Sequence, residues 1–200
     1  MKKIACLLLL CVNLGGCATY TFFNPSSLTA IPPVPANKAQ VVFLRPAGGF
    51  TGGLHSVIFD ITDGKQEVIG VVPATSKFVL DMEPKQYRLM ASDGLQGNVS
   101  EFNLQANKRY YVLVRPLFSR AFQLRPLTHN SASDYSQLHP EFEDWKADTA
   151  FVEPAADVEE WHTKFRDNLE KVQAKAEADW QAKTDEQRRE LTLVPEDAEK

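Results

Sequence analysis

Cysteine is scarce in this sequence, and none lies beyond its N-terminal region. The three cysteines are Cys6, Cys11 and Cys17 in a chain of 200 residues. A disulfide framework and a cysteine-based metal site are therefore excluded for the rest of the chain. Long hydrophobic runs are absent too: residues 4 to 14 form an apolar stretch only about half as long as the roughly 20 residues of a membrane-spanning helix. The body of the protein must depend on burial of apolar side chains for its stability.

Short catalytic motifs are also absent. The sequence has no Gly-x-Ser-x-Gly nucleophile elbow, no His-Glu-x-x-His zinc motif and no phosphate-binding loop. The glycines of residues 46 to 53 lack the Gly-Lys-Ser/Thr ending of such a loop, so we predict a flexible connection between strands. The histidines are scattered, and none is paired in sequence with a nucleophile: they are His55, His129, His139 and His162. We predict a protein that is not an enzyme, with no catalytic residue and no cofactor.

Two groups of side chains have spacings that suggest a metal ion. His139, Glu141 and Glu143 could bind one from a single loop. A third firm ligand is lacking, however, and acids at the start of a helix have an ordinary electrostatic explanation. Asp60 and Asp63 match only part of a calcium loop. We therefore predict no metal site.

The first sixteen residues have the pattern of a secretory signal peptide. Two lysines precede the apolar run, which ends in the stretch LGGC at residues 14 to 17. This stretch resembles the bacterial lipobox, apart from Gly15, where Ala, Ser or Thr is usual. The resemblance implies that residues 1 to 16 are removed and that Cys17 becomes a lipidated N-terminus. Several acyl chains would make attachment to a membrane effectively permanent.

Ala18 follows the cysteine, where lipoproteins retained in the inner membrane typically carry aspartate. The resemblance therefore implies that the protein is anchored in the outer membrane, at its periplasmic face. Residues 17 to 37 then form the connection to the body, and residues 18 to 37 hold four prolines and no charged side chain. We predict a tether with polyproline II character. In the alternative, Phe22, Phe23 and Ile31 fold back onto the domain as an irregular edge.

From residue 38 to residue 127 the pattern is that of a β-domain. Period-two alternation between turn residues predicts strands at residues 40–45, 55–60, 67–72, 77–82, 87–91, 99–104, 109–114 and 121–124. Asp63-Gly64 is typical of a tight hairpin turn. Seven to eight short strands predict an antiparallel β-sandwich. Its predicted core consists of Val41, Phe43, Ile58, Val79, Leu89, Phe102, Leu104, Val112 and Val114.

The order of four segments resembles a known family. These segments are VVFLRP (41 to 46), SVIFDITDGKQEVIGVV (56 to 72), KFVLDMEPKQYRLMA (77 to 91) and LQANKRYYVLVRP (104 to 116). They resemble an uncharacterised family of bacterial outer-membrane lipoproteins with a PEGA-like β-sandwich domain of unknown function. Arg45 and the Tyr110-Tyr111 pair match features of the family, whereas Glu83-Pro84-Lys85 stands where Pro-Gly is common. The resemblance implies a fold and no catalytic residue.

Residues 128 to 200, here called the C-terminal arm, have a helical pattern. A short helix is predicted near His139 to Trp145, and a long one of about 27 residues begins at Asp157. Apolar residues recur along the long helix at steps of 3, 4, 4, 3, 4 and 4: Val158, Trp161, Phe165, Leu169, Val172, Ala176 and Trp180. Such a stripe packs either on the protein's own domain or on a partner. For the second alternative, the candidate partner-binding residues are Trp161, Phe165, Val172 and Trp180.

The net negative charge of the mature chain lies in the arm. Residues 18 to 150 carry twelve acids and twelve bases, whereas residues 151 to 200 carry fourteen acids and eight bases. A negative arm does not favour nucleic acid as a partner. The leading hypothesis is a non-enzymatic envelope scaffold or protein-interaction module that is attached to the membrane through its N-terminal lipid. The alternatives are a periplasmic small-molecule or glycan-binding module and a hydrolase whose site is assembled from distant loops.

Overall fold

The protein is mainly β-structure, with one long helix near its C-terminus. The computed structural model describes residues 20–46, 53–118 and 121–200. The strands are β1 Phe23–Pro25, β2 Ala39–Arg45, β3 Ser56–Asp60, β4 Glu67–Val72, β5 Ser76–Met82, β6 Gln86–Ser92, β7 Gly97–Asn103, β8 Lys108–Pro116, β9 Phe122–Pro126, β10 Ala150–Pro154 and β11 Thr192–Leu193. The helices are α1 Phe142–Ala147, α2 Asp157–Gln181 and α3 Asp185–Arg189, and a 3₁₀ turn follows at Pro195–Asp197.

Strands β2 to β9 correspond to the eight predicted strands, with ends that differ by two residues at most. The turn between β3 and β4 contains Gly64 with a φ of 76°. This left-handed conformation suits glycine, which has no Cβ, and it agrees with the hairpin signal of Asp63-Gly64.

The strands form two sheets, and both are mixed rather than antiparallel. Sheet one has the order β1-β10-β5-β2-β8-β9 and sheet two the order β11-β7-β6-β3-β4. The prediction of an antiparallel sandwich is wrong at three pairings: β2 with β8, β10 with β5 and β11 with β7 are parallel. Two of these pairs exist because the arm contributes β10 and β11, which were not among the predicted strands; β11 has only two residues, too few to show alternation.

The two sheets share an inner core. Eight of the nine predicted core residues lie in this core, together with side chains such as Phe78, Tyr110 and Phe122. Val79 is the exception, because it packs on the outer face of sheet one beside Val42 and Leu44. Every residue of β2 is buried, so this strand is covered on both of its faces.

The outer face of each sheet has its own cover. On sheet two, α2 packs over Val57, Phe59, Val71, Met90 and Val99. On sheet one, Phe142 of α1 packs over Tyr111, with ring centroids 5.0 Å apart. Elements β10, α2 and β11 of the arm thus contact the sandwich across the predicted boundary between residues 127 and 128.

The Pro-rich segment before the sandwich is not a free tether. Strand β1 pairs with β10, Phe22 and Phe23 pack against the core clusters, and Ile31 packs against the outer face of sheet one. The carbonyl of Pro32 also accepts a hydrogen bond of 2.6 Å from Arg109. From Phe22 onward the segment therefore follows the fold-back alternative rather than the tether, because three apolar side chains pack against the domain.

The predicted signal peptide, the lipobox and Cys17 lie outside the described residues, as does most of the glycine-rich stretch after β2. Within the described ranges, no helix combines the length and the apolar character needed to cross a membrane.

Candidate functional site

Helix α2 has three sides with different environments. At 3.6 residues per turn, Val158, Leu169, Ala176 and Trp180 share the side that faces sheet two, and all four are buried. An aromatic side is formed by Trp161 and Phe165. A polar side is formed by residues at steps of 4, 4, 3 and 4: His162, Arg166, Glu170, Gln173 and Glu177.

The candidate partner-binding residues do not share one exposed surface. Trp180 is 3% exposed and Val172 is 7% exposed, and both pack in the cluster that joins α2 to sheet two. The protein's own sheet therefore already contacts these two side chains, which leaves Trp161 and Phe165 as the more accessible of the four candidates. Trp161 is half-buried, and its ring centroid lies 5.2 Å from that of Phe22 and 6.4 Å from that of Phe59.

Phe165 is the most exposed of the four, at 40%. Its ring makes an edge contact with Tyr20 at 6.5 Å and a tilted contact with Trp161 at 6.2 Å. The turn between β6 and β7 lies on the same side of the helix, because Asn168 donates a hydrogen bond of 3.0 Å to the Gly94 carbonyl. A Cβ at Gly94 would come within 3.0 Å of the Trp161 indole, so the turn and the ring are in close contact.

A polar cleft lies on the other side of α2, between the helix and the β3–β4 turn. Its volume is about 580 Å³. It is lined by Gly64, Lys65, Gln66, His162, Arg166, Glu170, Gln173, Ala174 and Glu177. The residues after Gly64 are held against the helix by two hydrogen bonds: Gln66 Nε2 donates to the Leu169 carbonyl at 2.8 Å, and Gln173 Nε2 donates to the Gly64 carbonyl at 3.3 Å.

Two buried polar atoms at this cleft have no hydrogen-bond partner. They are Nε2 of His162 and Oε1 of Gln66. His162 is only 8% exposed, its ring packs 5.7 Å from Phe59, and its Nδ1 lies 3.9 Å from a carboxylate oxygen of Glu159. Buried polar groups in folded proteins almost always have a partner, so each unsatisfied atom requires an explanation. An ordered water or a bound polar group in the cleft would supply one.

The cleft combines charges of both signs. Lys65 and Arg166 offer donors, while Glu170 and Glu177 offer acceptors. Its lining side chains are charged groups, amides and one imidazole, all of which can bind a polar group. No local motif predicts this cleft, although polar residues recur at helical spacing from His162 to Glu177 and could have indicated a polar side of the helix.

Three tyrosines of the sandwich, Tyr87, Tyr110 and Tyr111, lie in separate places. Tyr111 borders an open cleft of about 490 Å³ together with Phe151, Lys77 and Arg109. The Tyr111 hydroxyl donates a hydrogen bond of 2.7 Å to Glu199, and burial, reinforced by that carboxylate, raises the pKa of Tyr111 above its ordinary value. The charged groups of this cleft are largely occupied, because Arg109 Nη1 lies 2.9 Å from Glu199 and Lys77 Nζ donates to two carbonyls.

Tyr87 lines a different recess of about 330 Å³ beside Phe102. The hydroxyl of Tyr110 accepts a hydrogen bond of 3.1 Å from the backbone N–H of Gln105. Tyr110 therefore acts within the core and not at a surface.

The residues considered for metal binding have structural partners. His139 stacks on Trp145 at 4.9 Å, and its Nδ1 accepts a hydrogen bond from the Glu141 backbone. Glu143 forms an ion pair of 2.8 Å with Lys146. Within residues 20–46, 53–118 and 121–200, no three His, Cys, Asp or Glu side chains are placed to hold a metal ion together.

Comparisons with known proteins provide little guidance. No family model matches the chain, and no curated protein matches it. Among solved structures, the NMR structure of a protein from Eubacterium rectale is 8% identical, with a TM-score of 0.27. The match covers 44% of this chain and 86% of that one, and at this TM-score it carries no argument about fold or function.

Proposed function

We propose that this protein is a non-enzymatic outer-membrane lipoprotein that acts as an envelope scaffold or protein-interaction module. Cys17 is its membrane anchor, on the periplasmic face. The polar cleft beside α2 is its partner-binding surface, in place of the apolar stripe of the helix. The observation that carries the choice of this surface is the pair of buried atoms without a partner inside the protein, Nε2 of His162 and Oε1 of Gln66, while the anchor rests on the lipobox resemblance of residues 14 to 17.

A protein segment fits this cleft by its chemistry. A peptide offers backbone N–H and C=O groups, which can pair with an amide oxygen and an imidazole nitrogen. Charged side chains of the segment can pair with Arg166 and Glu170 at the same time. Opposite charges on one wall also fix the orientation of a partner, because a reversed segment would face like charges.

A small-molecule or glycan-binding module is the second candidate. The open cleft at Tyr111 favours it, because aromatic side chains line this cleft, although its charged groups are largely paired within the protein. The family assignment is likewise a proposal: strands β2 to β9 would form the PEGA-like sandwich, and β1, β10 and β11 would be additions to it.

Lipidation is tested by growing cells that express the protein with labelled palmitate. The wild-type protein should be labelled, and the Cys17→Ser variant should not. Equal labelling of the two proteins would refute the anchor.

The partner surface is tested with a photo-activated crosslinking residue at Ala174, which is exposed and lines the cleft. Ala178 provides the matched control, since it is exposed on the same helix but does not line the cleft. We expect a protein adduct from position 174 that is absent from position 178 and is lost when Arg166→Glu is added. Equal adducts from both positions would contradict the proposed surface, and a small mass increase without a protein adduct would favour the small-molecule alternative.

A further inference from the structure

One end of the molecule gathers exposed apolar side chains. Three of the six large apolar side chains that are clearly exposed in the described residues lie there: Leu95, at 73%, Phe118, which is fully exposed, and Phe165, at 40%. Leu95 belongs to the β6–β7 turn, which contacts Trp161 and Asn168 of α2. Leu95 also shares a small recess with Leu117, the residue before Phe118 in the β8–β9 turn.

The chain leaves the described structure at this same end. Tyr20 contacts Phe165, and the Lys164 ammonium lies 5.5 Å from the centre of the Tyr20 ring. The backbone N–H of Thr21 donates a hydrogen bond of 2.9 Å to Asp157, at the start of α2. The N-terminal segment is therefore fixed to the helix as far back as Tyr20.

Cys17 precedes Tyr20 by only three residues. Three residues span at most about 11 Å even when fully extended. A lipid on the Cys17 sulfur must lie in the bilayer, so Tyr20 and its contacts on α2 cannot be far from the headgroups. The close attachment follows from the packing of Phe22 and Phe23, which removes the long tether that the prolines suggested.

We propose that this end, formed by Leu95, Phe118, Trp161, Phe165 and Tyr20, lies against the phospholipid surface of the membrane that holds the anchor. The inference rests on the proposed lipidation of Cys17. Tyrosine and tryptophan favour the water–lipid interface, and apolar turn residues gain free energy by entering it. A lysine such as Lys164 can extend its ammonium to the phosphate level.

The charge of this end favours zwitterionic lipid. Asp93 of the β6–β7 turn and Asp157 at the start of α2 belong to this end as Lys164 does, and both carboxylates already accept hydrogen bonds from backbone N–H groups. The contact therefore depends on apolar burial more than on attraction to anionic headgroups.

This orientation directs the polar cleft away from the bilayer. Strands β3 and β6 are antiparallel neighbours, so the β3–β4 turn at the cleft and the β6–β7 turn at Leu95 lie at opposite ends of sheet two. A partner at the cleft would thus meet the face of the protein that points into the periplasm.

The test uses lipidated full-length mature protein in vesicles of phosphatidylcholine and phosphatidylethanolamine, some containing a nitroxide-labelled lipid. Once Cys17 is acylated, a single introduced cysteine is the only free thiol, because no other cysteine follows it. An environment-sensitive fluorophore is attached to Leu95→Cys, Phe118→Cys or, as the matched control, Leu138→Cys. Leu138 is also exposed, at 58%, and it follows the end of β9 that lies opposite the β8–β9 turn.

We expect the emission of a fluorophore at position 95 or 118 to shift to the blue and to be quenched by the nitroxide-labelled lipid. We expect neither change at position 138. Similar quenching at all three positions, or at none, would overturn the proposed orientation. Flotation of the same samples separates the two proposals: protein that does not float with the vesicles refutes the anchor, whereas protein that floats without quenching at 95 and 118 refutes only the orientation.

Discussion

The two sheets are covered on their outer faces in different ways. Sheet one is covered by the six-residue helix α1 and by loops, with a small cluster around Tyr111 and Phe142. Sheet two is covered by the 25-residue helix α2, which buries a much longer stripe. On sheet one, the contacts of the outer face are made by a few single side chains. On sheet two, they are made by one long helix, which makes the C-terminal arm part of the folding unit.

The strands themselves show why both covers exist. Residues 41 to 44 read VVFL and residues 57 to 59 read VIF, with apolar side chains on both faces of each strand. A strand that is solvated on one face alternates apolar and polar residues, and a continuous apolar run indicates burial of both faces. The free energy gained by covering sheet two therefore binds α2 to the domain and leaves little of its apolar stripe for a partner.

The largest expected effect is that of removing the cover of sheet two. A chain that ends at Thr149 lacks β10, α2 and β11, and it exposes Val57, Phe59 and Met90 to water. We expect loss of the cooperative thermal transition and aggregation, because apolar burial is the main stabilising term. Circular dichroism during heating measures the thermal transition.

Removal of Lys200 alone is the control for this truncation, since that terminal residue is exposed. Its transition should match that of the full chain. A truncated protein that kept a sharp transition would show that the arm is separate after all, and it would restore the hypothesis of a docking arm.

A smaller effect distinguishes the buried side of α2 from its aromatic side. Trp180→Ala should reduce the free energy of unfolding by about 3 to 5 kcal/mol, as is typical of a buried large-to-small change. Phe165→Ala should reduce it by under about 1 kcal/mol, because Phe165 is 40% exposed. Chemical denaturation of the two variants checks this, and equal losses would contradict the division of the helix into sides.

The sequence was informative where local patterns decide the structure. Strands β2 to β9 and helix α2 could be predicted because alternation, turn residues and apolar spacing are local signals. The parallel pairs could not, since each joins strands that are far apart in the sequence: β2 with β8, β5 with β10 and β7 with β11. The fold-back of Phe22 was recognised as an alternative but not preferred, because proline content describes the isolated segment and not its contacts.

The candidate site was less predictable than the fold. The stripe through Trp161 and Trp180 was visible, but nothing local decided whether the sandwich or a partner would contact it. The polar cleft depends on the meeting of Gln66 with a helix about one hundred residues later in the chain, at Leu169. Only the tertiary structure brings such residues together.

The smallest expected effect tests whether the cover of sheet two continues into the N-terminal segment. His55 lies between Phe22 and Phe23, with ring centroids 5.5 and 5.3 Å away. Burial, and then the charge of Arg45, lower the pKa of His55 below its ordinary value of 6.5. Protonation of His55 is therefore easier in the unfolded chain, and the free energy of unfolding should fall as the pH falls from about 6.5 toward the lower folded-state pKa.

The His55→Gln variant tests this, with its free energy of unfolding measured by denaturation between about pH 7.5 and 5.5. Its pH dependence should be shallower than that of the wild type, because glutamine does not titrate. The other histidines are common to both proteins and contribute equally to the two curves. Identical slopes would indicate that Phe22 and Phe23 do not enclose His55 in solution, and the continuous cover from β1 to α2 would have to be abandoned.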